Sequence, residues 1–198
     1  MKYPKSIQNL IDLFCQLPTV GPKTAERYVF FLLKKPGEDL QKFAQGIAEL
    51  KEKITICQVC GAVSDASPCE ICSDPKRSRE ILCVVASTRD ELSIESTRDY
   101  RGSYHVLGGL LSSINGVTPE HLQINALLGK LKKFGVKEII LALNPNLEGE
   151  TTALYLTKVL KPYNIKITRL ARGLPSGSDL EYTDQATLAS ALKNRTTV

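Results

Sequence analysis

Four cysteines constrain this chain more than any other feature. They read Cys57-Gln-Val-Cys60, then eight residues, then Cys69-Glu-Ile-Cys72. Two C-x-x-C knuckles this close match the spacing of a single tetrahedral zinc site, because each pair grips the metal through one tight turn. Four thiolates repel one another and need a soft divalent cation to offset their charge. A disulfide pair or plain buried thiols is the competing reading. With four sulfur ligands no position stays open for water or substrate, so the expected zinc is structural. Gly61 and Pro68 supply turn chemistry inside the loop. The remaining cysteines, Cys15 and Cys83, lie in apolar patterns and are expected as core thiols.

The chain changes character on either side of this module. Before it the apolar residues recur at helical spacing. Ile7, Leu10, Ile11 and Phe14 follow Ser6, a candidate N-cap. Pro22 suits a first helical position, and Ala25, Tyr28, Val29 and Leu32 give the next helix an apolar face. Glu38 and Asp39 open a third helix, with Leu40, Phe43, Ala44 and Ile47 as its expected buried stripe.

After the module the period shortens. Ile81–Val85 and Ile139–Leu143 are continuous apolar runs, as in strands buried on both faces. Tyr104–Leu107 and Ile165–Leu170 read as further strands. Helices are expected near 89–95, from Thr118 to about Phe134, from about Glu150 to Leu160, and over 184–194. Strands alternating with helices predict a mostly parallel α/β sheet. The expected fold class is α+β and multi-modular. A helical domain spans 1–56, the four-cysteine module and linker 57–80, an α/β domain 81–172 and a helical tail 173–198.

The net charge of +5 permits an anionic partner without demanding one. The chain opens with no apolar leader and holds no apolar run of membrane-spanning length, so a cytoplasmic setting without membrane partners is expected.

Leu17-Pro18-Thr19-Val20-Gly21-Pro22-Lys23-Thr24-Ala25 resembles a helix-hairpin-helix motif. Such a hairpin presents free N–H groups at a helix N-terminus, where the dipole also favours an anion. Gly21, Lys23, Thr24 and Arg27 form the candidate DNA-backbone site, with Lys23 and Arg27 at i and i+4 on one helical face. That contact would read phosphates rather than sequence. The usual motif has two glycines in the hairpin, and Thr19 takes the first place. The competing reading is an ordinary turn with both cations solvated.

The α/β half resembles a Toprim domain, the metal-binding fold of topoisomerases and primases. In that fold a glutamate follows the first strand and acidic residues follow a later one, and together they hold magnesium. Here Ala86 stands at the glutamate's place and Asn144 at an aspartate's. Glu148 and Glu150 are present but open a helix, where acids also serve the dipole. Asp90 and Glu91 remain near the first strand as possible acids or caps. Two-metal chemistry needs several carboxylates on one point, so no catalytic residue and no magnesium are expected. His105 reads as a hydrogen-bonded core histidine, and His121 as an exposed one.

The order of these parts resembles the RecR family of bacterial recombination mediators. Asn144–Ala153 and Ile167–Asp184 resemble signatures of that family. The resemblance covers essentially the whole chain. It implies a non-enzymatic role in recombinational repair, helping to load a RecA-type recombinase on single-stranded DNA. It implies a RecO-type partner, RecF in many bacteria, and dimers or tetrameric rings that encircle single- and double-stranded DNA. It implies Cys57, Cys60, Cys69 and Cys72 as zinc ligands, Lys23 and Arg27 as phosphate contacts, and Glu148 and Glu150 as partner contacts. Arg77 and Arg79 are weaker DNA candidates that a solvated linker would equally explain. A zinc-stabilised interaction module without a DNA role and a metal-dependent Toprim enzyme are the rival readings.

Overall fold

The computed structural model describes residues 3–196. The chain divides into two compact units after Lys53.

In the first unit, α1 (Lys5–Cys15) and α2 (Pro22–Leu32) pack around Ile11, Ala25 and Val29, with Ile7, Leu10, Phe14 and Val20 against them. Edge-to-face pairs Tyr3–Phe30 and Phe14–Tyr28, with centroids 5.6 and 5.7 Å apart, complete the contact. Ser6 is not the N-cap. The helix begins two residues earlier, with Pro4 at the N-cap position, because the Pro4 carbonyl accepts from the N–H groups of Ile7 and Gln8, both at 3.0 Å; no side chain caps it among the described residues. Pro22 does hold the first position of α2. Next come α3 (Gly37–Ala48), with Glu38 and Asp39 in its first turn, and the short α4 (Leu50–Lys53). The expected buried stripe on α3 is not buried: Phe43 is 51% and Ile47 60% exposed. The helical period gave α3 its apolar face, but this unit supplies nothing to cover it. An apolar groove of about 580 Å³ runs between α1, α2 and α3 instead.

The second unit begins with the cysteine knuckles, framed by the antiparallel pair β1 (Thr55–Ile56) and β2 (Val63–Ser64) and by the turn α5 (Glu70–Ser73). The α/β part follows as β3 (Ser78–Val85), α6 (Thr88–Glu95), β4 (Gly102–Val106), α7 (Ile124–Phe134), β5 (Glu138–Ala142), α8 (Leu147–Leu160), β6 (Lys166–Arg169) and α9 (Gln185–Lys193). The sheet is fully parallel in the order β4-β3-β5-β6. Chain progression reverses between β3 and β5, which opens a crevice beyond their C-terminal ends.

Alternation along the strands feeds two cores. Leu82, Val84, Ile139 and Leu141 face Leu127 and Leu131 of α7 and Leu156 and Leu160 of α8. Cys83, Val85, Tyr104, Val106 and Ala142 pack instead with Cys57, Cys60, Ala62 and Cys69. The cysteine module is therefore the cover of the sheet's second face. Its fit is close: Val106 N–H donates to the Cys60 carbonyl at 2.8 Å, and a Cβ on Gly61, at φ +85°, would lie 2.9 Å from the Val106 oxygen.

The helix expected from Thr118 starts later. A 3-10 turn at Pro119–His121 is closed by Thr118 and His121, whose Nδ1 accepts from the Thr118 N–H at 3.1 Å. Leu122 then extends into the core, and α7 begins at Ile124.

Candidate zinc centre, hairpin and cleft

The four cysteine sulfurs lie within 4.8 Å of one another, with Cys60 and Cys69 sulfurs 3.6 Å apart. Sulfurs 2.3 Å from a tetrahedral zinc are about 3.8 Å apart, so this cage fits the ion. Backbone N–H groups already point at sulfur, Cys69 to Cys57 at 3.3 Å and Cys72 to Cys69 at 3.4 Å. The cage favours one thiolate but not four. The Cys60 thiol is lowered chiefly by its hydrogen bond with Cys72. Cys72 is raised by its bond to Cys60, and Cys69 by burial. Full ionisation requires a cation to balance the charge, which is the property of a metal site. Cys57, Cys60 and Cys69 are buried and no fifth donor joins them among the described residues, so the centre is structural.

The hairpin turns through a Val20 N–H to Leu17 carbonyl bond of 3.2 Å. Thr19 sits at φ +66°, a left-handed conformation that a β-branched residue adopts at a cost. The backbone has kept the shape that glycine favours although the residue is threonine. No side chain caps α2. Gly21 is exposed, and a Cβ there would meet nothing within 4 Å, so internal packing does not demand glycine at this place. Lys23 and Arg27 are exposed on the same face and make no ion pair among the described residues, and Thr24 is half-buried beside them.

At the crevice, Ala86 follows β3 and is buried, its carbonyl accepting from Gly108 N–H at 3.1 Å. Asn144 follows β5 and is exposed. Beside Asn144 lies a cleft of about 280 Å³ whose rim includes Asp90, Ser93, Arg169 and Arg172. Asp90 is committed locally. It forms a capping box with Ser87, accepting from the Ser87 N–H at 2.9 Å and hydroxyl at 2.7 Å. Glu150 accepts from Arg169 at 2.6 Å and also from Arg172, and these guanidiniums hold its carboxyl below the usual range. Glu148 is half-buried in the first turn of α8. Gly149 is required there, since a Cβ would lie 2.0 Å from the Asn144 oxygen. Carboxylates do not converge on this cleft, and arginines line it.

Sequence reasoning missed a buried polar cluster between the cysteine module and the sheet. Glu91 turns into the core, 1% exposed, with Oε1 lacking any partner among the described residues. Burial, then the Cys60 and Glu95 charges, push its carboxyl up to about 7, against the pull of Lys130 and Arg77. Arg77, a sequence candidate for DNA, is instead structural. Its side chain is 9% exposed, pairs with Glu95 and donates to the Gly102 carbonyl at 3.3 Å, while Tyr104 hydroxyl donates to Glu95 at 3.0 Å. Arg79 lies over the Phe134 ring, 5.2 Å from its centroid. His105 is a hydrogen-bonded core histidine. Its Nε2–H donates to the Gln123 carbonyl at 2.8 Å, and its Nδ1 accepts from Lys130 Nζ at 2.9 Å. Burial, reinforced by the Lys130 charge, lowers it to about 3. Long sequence separations and a lysine on an amphipathic helix left no local signal for this cluster.

Comparison with known families gives four matches in chain order. Residues 7–51 match a model described as RecR, helix-hairpin-helix, and residues 54–74 one described as the RecR four-cysteine zinc finger domain. Residues 80–171 match a Toprim domain and residues 173–196 a model described as RecR, C-terminal. A protein of Bifidobacterium longum subsp. infantis named Recombination protein RecR is 50% identical over 195 residues, covering 98% of each chain. One of the same name from Bifidobacterium adolescentis is 50% identical over 198 residues, covering 100% of this chain and 99% of its own. One from Staphylococcus haemolyticus is 47% identical over 196 residues, covering 99% of each. The cage geometry and the zinc finger match agree on a structural zinc.

Proposed function

The chain belongs to the RecR family of recombination proteins, and on that premise we propose that it is a non-catalytic mediator that binds DNA through its hairpin. With a RecO-type partner, and RecF where one is present, it would help load a RecA-type recombinase on single-stranded DNA. The observation that carries the DNA reading is the uncapped start of α2. There an unobstructed Gly21, the backbone at Lys23 and Thr24, and the Lys23 and Arg27 side chains, which make no ion pair among the described residues, offer a surface suited to an anion. The contact is to phosphates, and DNA structure rather than sequence would be selected.

The cleft favours a role without catalysis. Ala86 and Asn144 offer no carboxylate, Asp90 caps its own helix, and Glu150 is neutralised by two arginines. Magnesium would find too few free oxygens for phosphoryl transfer. The division of labour follows the four segments: hairpin domain 1–56, zinc module and linker 57–80, Toprim-like domain 81–172, and tail 173–198. Glu148 and Glu150 are the proposed partner contacts, with Leu147, 80% exposed, beside them. Since Glu150 is already held by Arg169 and Arg172, a partner cation there competes with them.

The open apolar face of α1, α2 and α3 supports self-association. Exposed apolar surface of this kind marks an interface, and a second copy of the chain is its proposed occupant within a dimer or ring. Several subunits would then pool a modest charge around DNA. No described helix is long and apolar enough to cross a membrane, and the bacterial cytoplasm is the proposed setting. The test is a loading assay on single-stranded DNA coated with single-strand-binding protein. RecA-type ATPase activity should rise when the RecO-type partner and this protein are both present. No rise over the partner alone contradicts the mediator role, and magnesium-dependent DNA cleavage would restore the enzyme reading.

A further inference from the structure

A tetrathiolate zinc centre carries a net charge of two minus. Here three of its four sulfurs belong to buried residues packed on an apolar wall of Cys83, Val85, Tyr104, Val106 and Ala142. Water screens such a charge poorly. No neighbouring carboxyl relieves it, and Glu91 is itself buried with one oxygen unpartnered among the described residues. Of the nearby cations, Arg77 is tied to Glu95, whereas Lys130 makes no ion pair among the described residues. It is carried on α7, lines the same cavity as Val59, Ile71 and Cys72, and uses two of its three N–H groups, on the Tyr104 carbonyl at 3.1 Å and His105 Nδ1 at 2.9 Å. His105 is fixed in the tautomer that accepts this bond, because its other nitrogen faces the Gln123 carbonyl. Gln123, His105 and the Tyr104 backbone therefore clamp an ammonium against β4, the strand whose Val106 N–H holds the Cys60 carbonyl.

We propose that Lys130 is the counter-charge of the zinc centre, a positioning residue on a Toprim-like helix that quiets the four thiolates and retains the metal. Electron-rich thiolates react faster with electrophiles and release their metal once modified. A fixed ammonium beside them opposes both steps. Partners of this outer kind are worth about 10- to 100-fold in metal affinity where they have been removed from other sites. The zinc module and the Toprim-like domain would then be coupled by charge as well as by packing. An alternative is that Lys130 merely satisfies the Tyr104 carbonyl and His105, with no effect on the metal.

The experiment uses the full-length zinc-loaded chain with Lys130→Met, Lys130→Gln and Lys130→Arg. Zinc release is followed with a chromogenic chelator while a small methanethiosulfonate modifies the thiols. Cobalt-substituted samples give the sulfur-to-metal charge-transfer band. The neutral variants should release metal on the order of tenfold faster, with the band moved to lower energy, and the arginine variant should stay near wild type. Lys130→Gln keeps a hydrogen bond without charge, so it serves where the methionine variant does not fold. Wild-type release and an unmoved band in a folded neutral variant overturn the proposal. So does an arginine variant as fast as the neutral ones, since charge would then not be the cause. The inference rests on the zinc assignment. Wild-type protein with far less than one zinc per chain would sink that assignment, whereas the variants test Lys130 alone.

Discussion

The helical unit and the zinc–sheet unit bury their apolar residues to different degrees. The second has the fuller core, although Leu147 and Leu154 stay exposed on its surface. Its sheet has α7 and α8 on one face and the cysteine module with Ile94 of α6 on the other, and residues such as Val84, Val85, Leu127 and Ile139 are excluded from solvent. The first unit has a small core at Ile11, Ala25 and Val29 and leaves α3 without a single buried residue. The second unit pairs several of its charges internally, Arg77 with Glu95 and Glu150 with Arg169 and Arg172, and clamps Lys130 on a neutral His105. Lys23 and Arg27 in the first stay exposed. Unmatched apolar and cationic surface of the kind the first unit exposes is what interaction surfaces offer, and the proposed roles rest on that difference.

Removing zinc is the harshest test of that contrast. Zinc coordination contributes about 10 to 16 kcal/mol in small modules, against a total domain stability of about 5 to 15 kcal/mol. A strong chelator, or Cys57→Ser with Cys72→Ser, should therefore unfold the cover on the sheet. Hydrogen exchange at Cys83 to Val85 should accelerate, while amides at Ala25 and Val29 stay protected. Equal loss in both units would show that they are not independent.

Phe43→Glu with Ile47→Glu probes the open face. If this face joins copies of the chain as proposed, wild type should sediment as an assembly and the variant as smaller species, with helical circular dichroism unchanged. An unchanged mass would mean that this face is not the interface.

His105 gives the second unit a pH signature. An unfolded histidine takes a proton near pH 6.5, whereas burial holds folded His105 neutral until about 3. Its contribution is complete above pH 6.5 and is lost as pH falls, at about 1.4 kcal/mol per unit once the unfolded form is fully protonated. Glu91, raised to about 7, contributes in the opposite sense over the same range, so the signature is the difference between two denaturant titrations: from pH 6.5 to 5, wild type should lose stability relative to His105→Gln. Parallel slopes would remove His105 from the account.

The smallest effect is expected at Thr19. Glycine there removes a left-handed strain of about 1 to 2 kcal/mol, less the backbone entropy that glycine loses on folding. Thr19→Gly should raise the stability of the helical unit by about 1 kcal/mol or less, and a loss of stability would mean that threonine makes a compensating contact.

The sequence made the local features legible. The knuckles announced themselves because zinc ligands sit close together in the chain. The β3 and β5 runs were readable because strands buried on both faces are apolar throughout. Ala86 and Asn144 were visible as places without carboxylates. What failed depended on partners distant in sequence or absent from the chain. Periodicity identified the apolar face of α3 but not what would cover it. Arg77 looked like a linker cation until Glu95 and Gly102 met it, and nothing local sets Lys130 apart from Lys132 and Lys133 on the same helix. The Thr19 departure was readable as a residue type, while its positive φ required coordinates.

The central claim is that the hairpin clamps the DNA backbone, and fluorescence anisotropy on a labelled single-strand/duplex junction across a salt series tests it most directly. Wild-type affinity should fall steeply with salt. Lys23→Ala with Arg27→Ala should bind more weakly and with a shallower slope, by about 0.7 to 0.9 for each phosphate that an engaged subunit no longer neutralises. If wild type binds as weakly as the variant and salt hardly matters, the hairpin is not a DNA clamp.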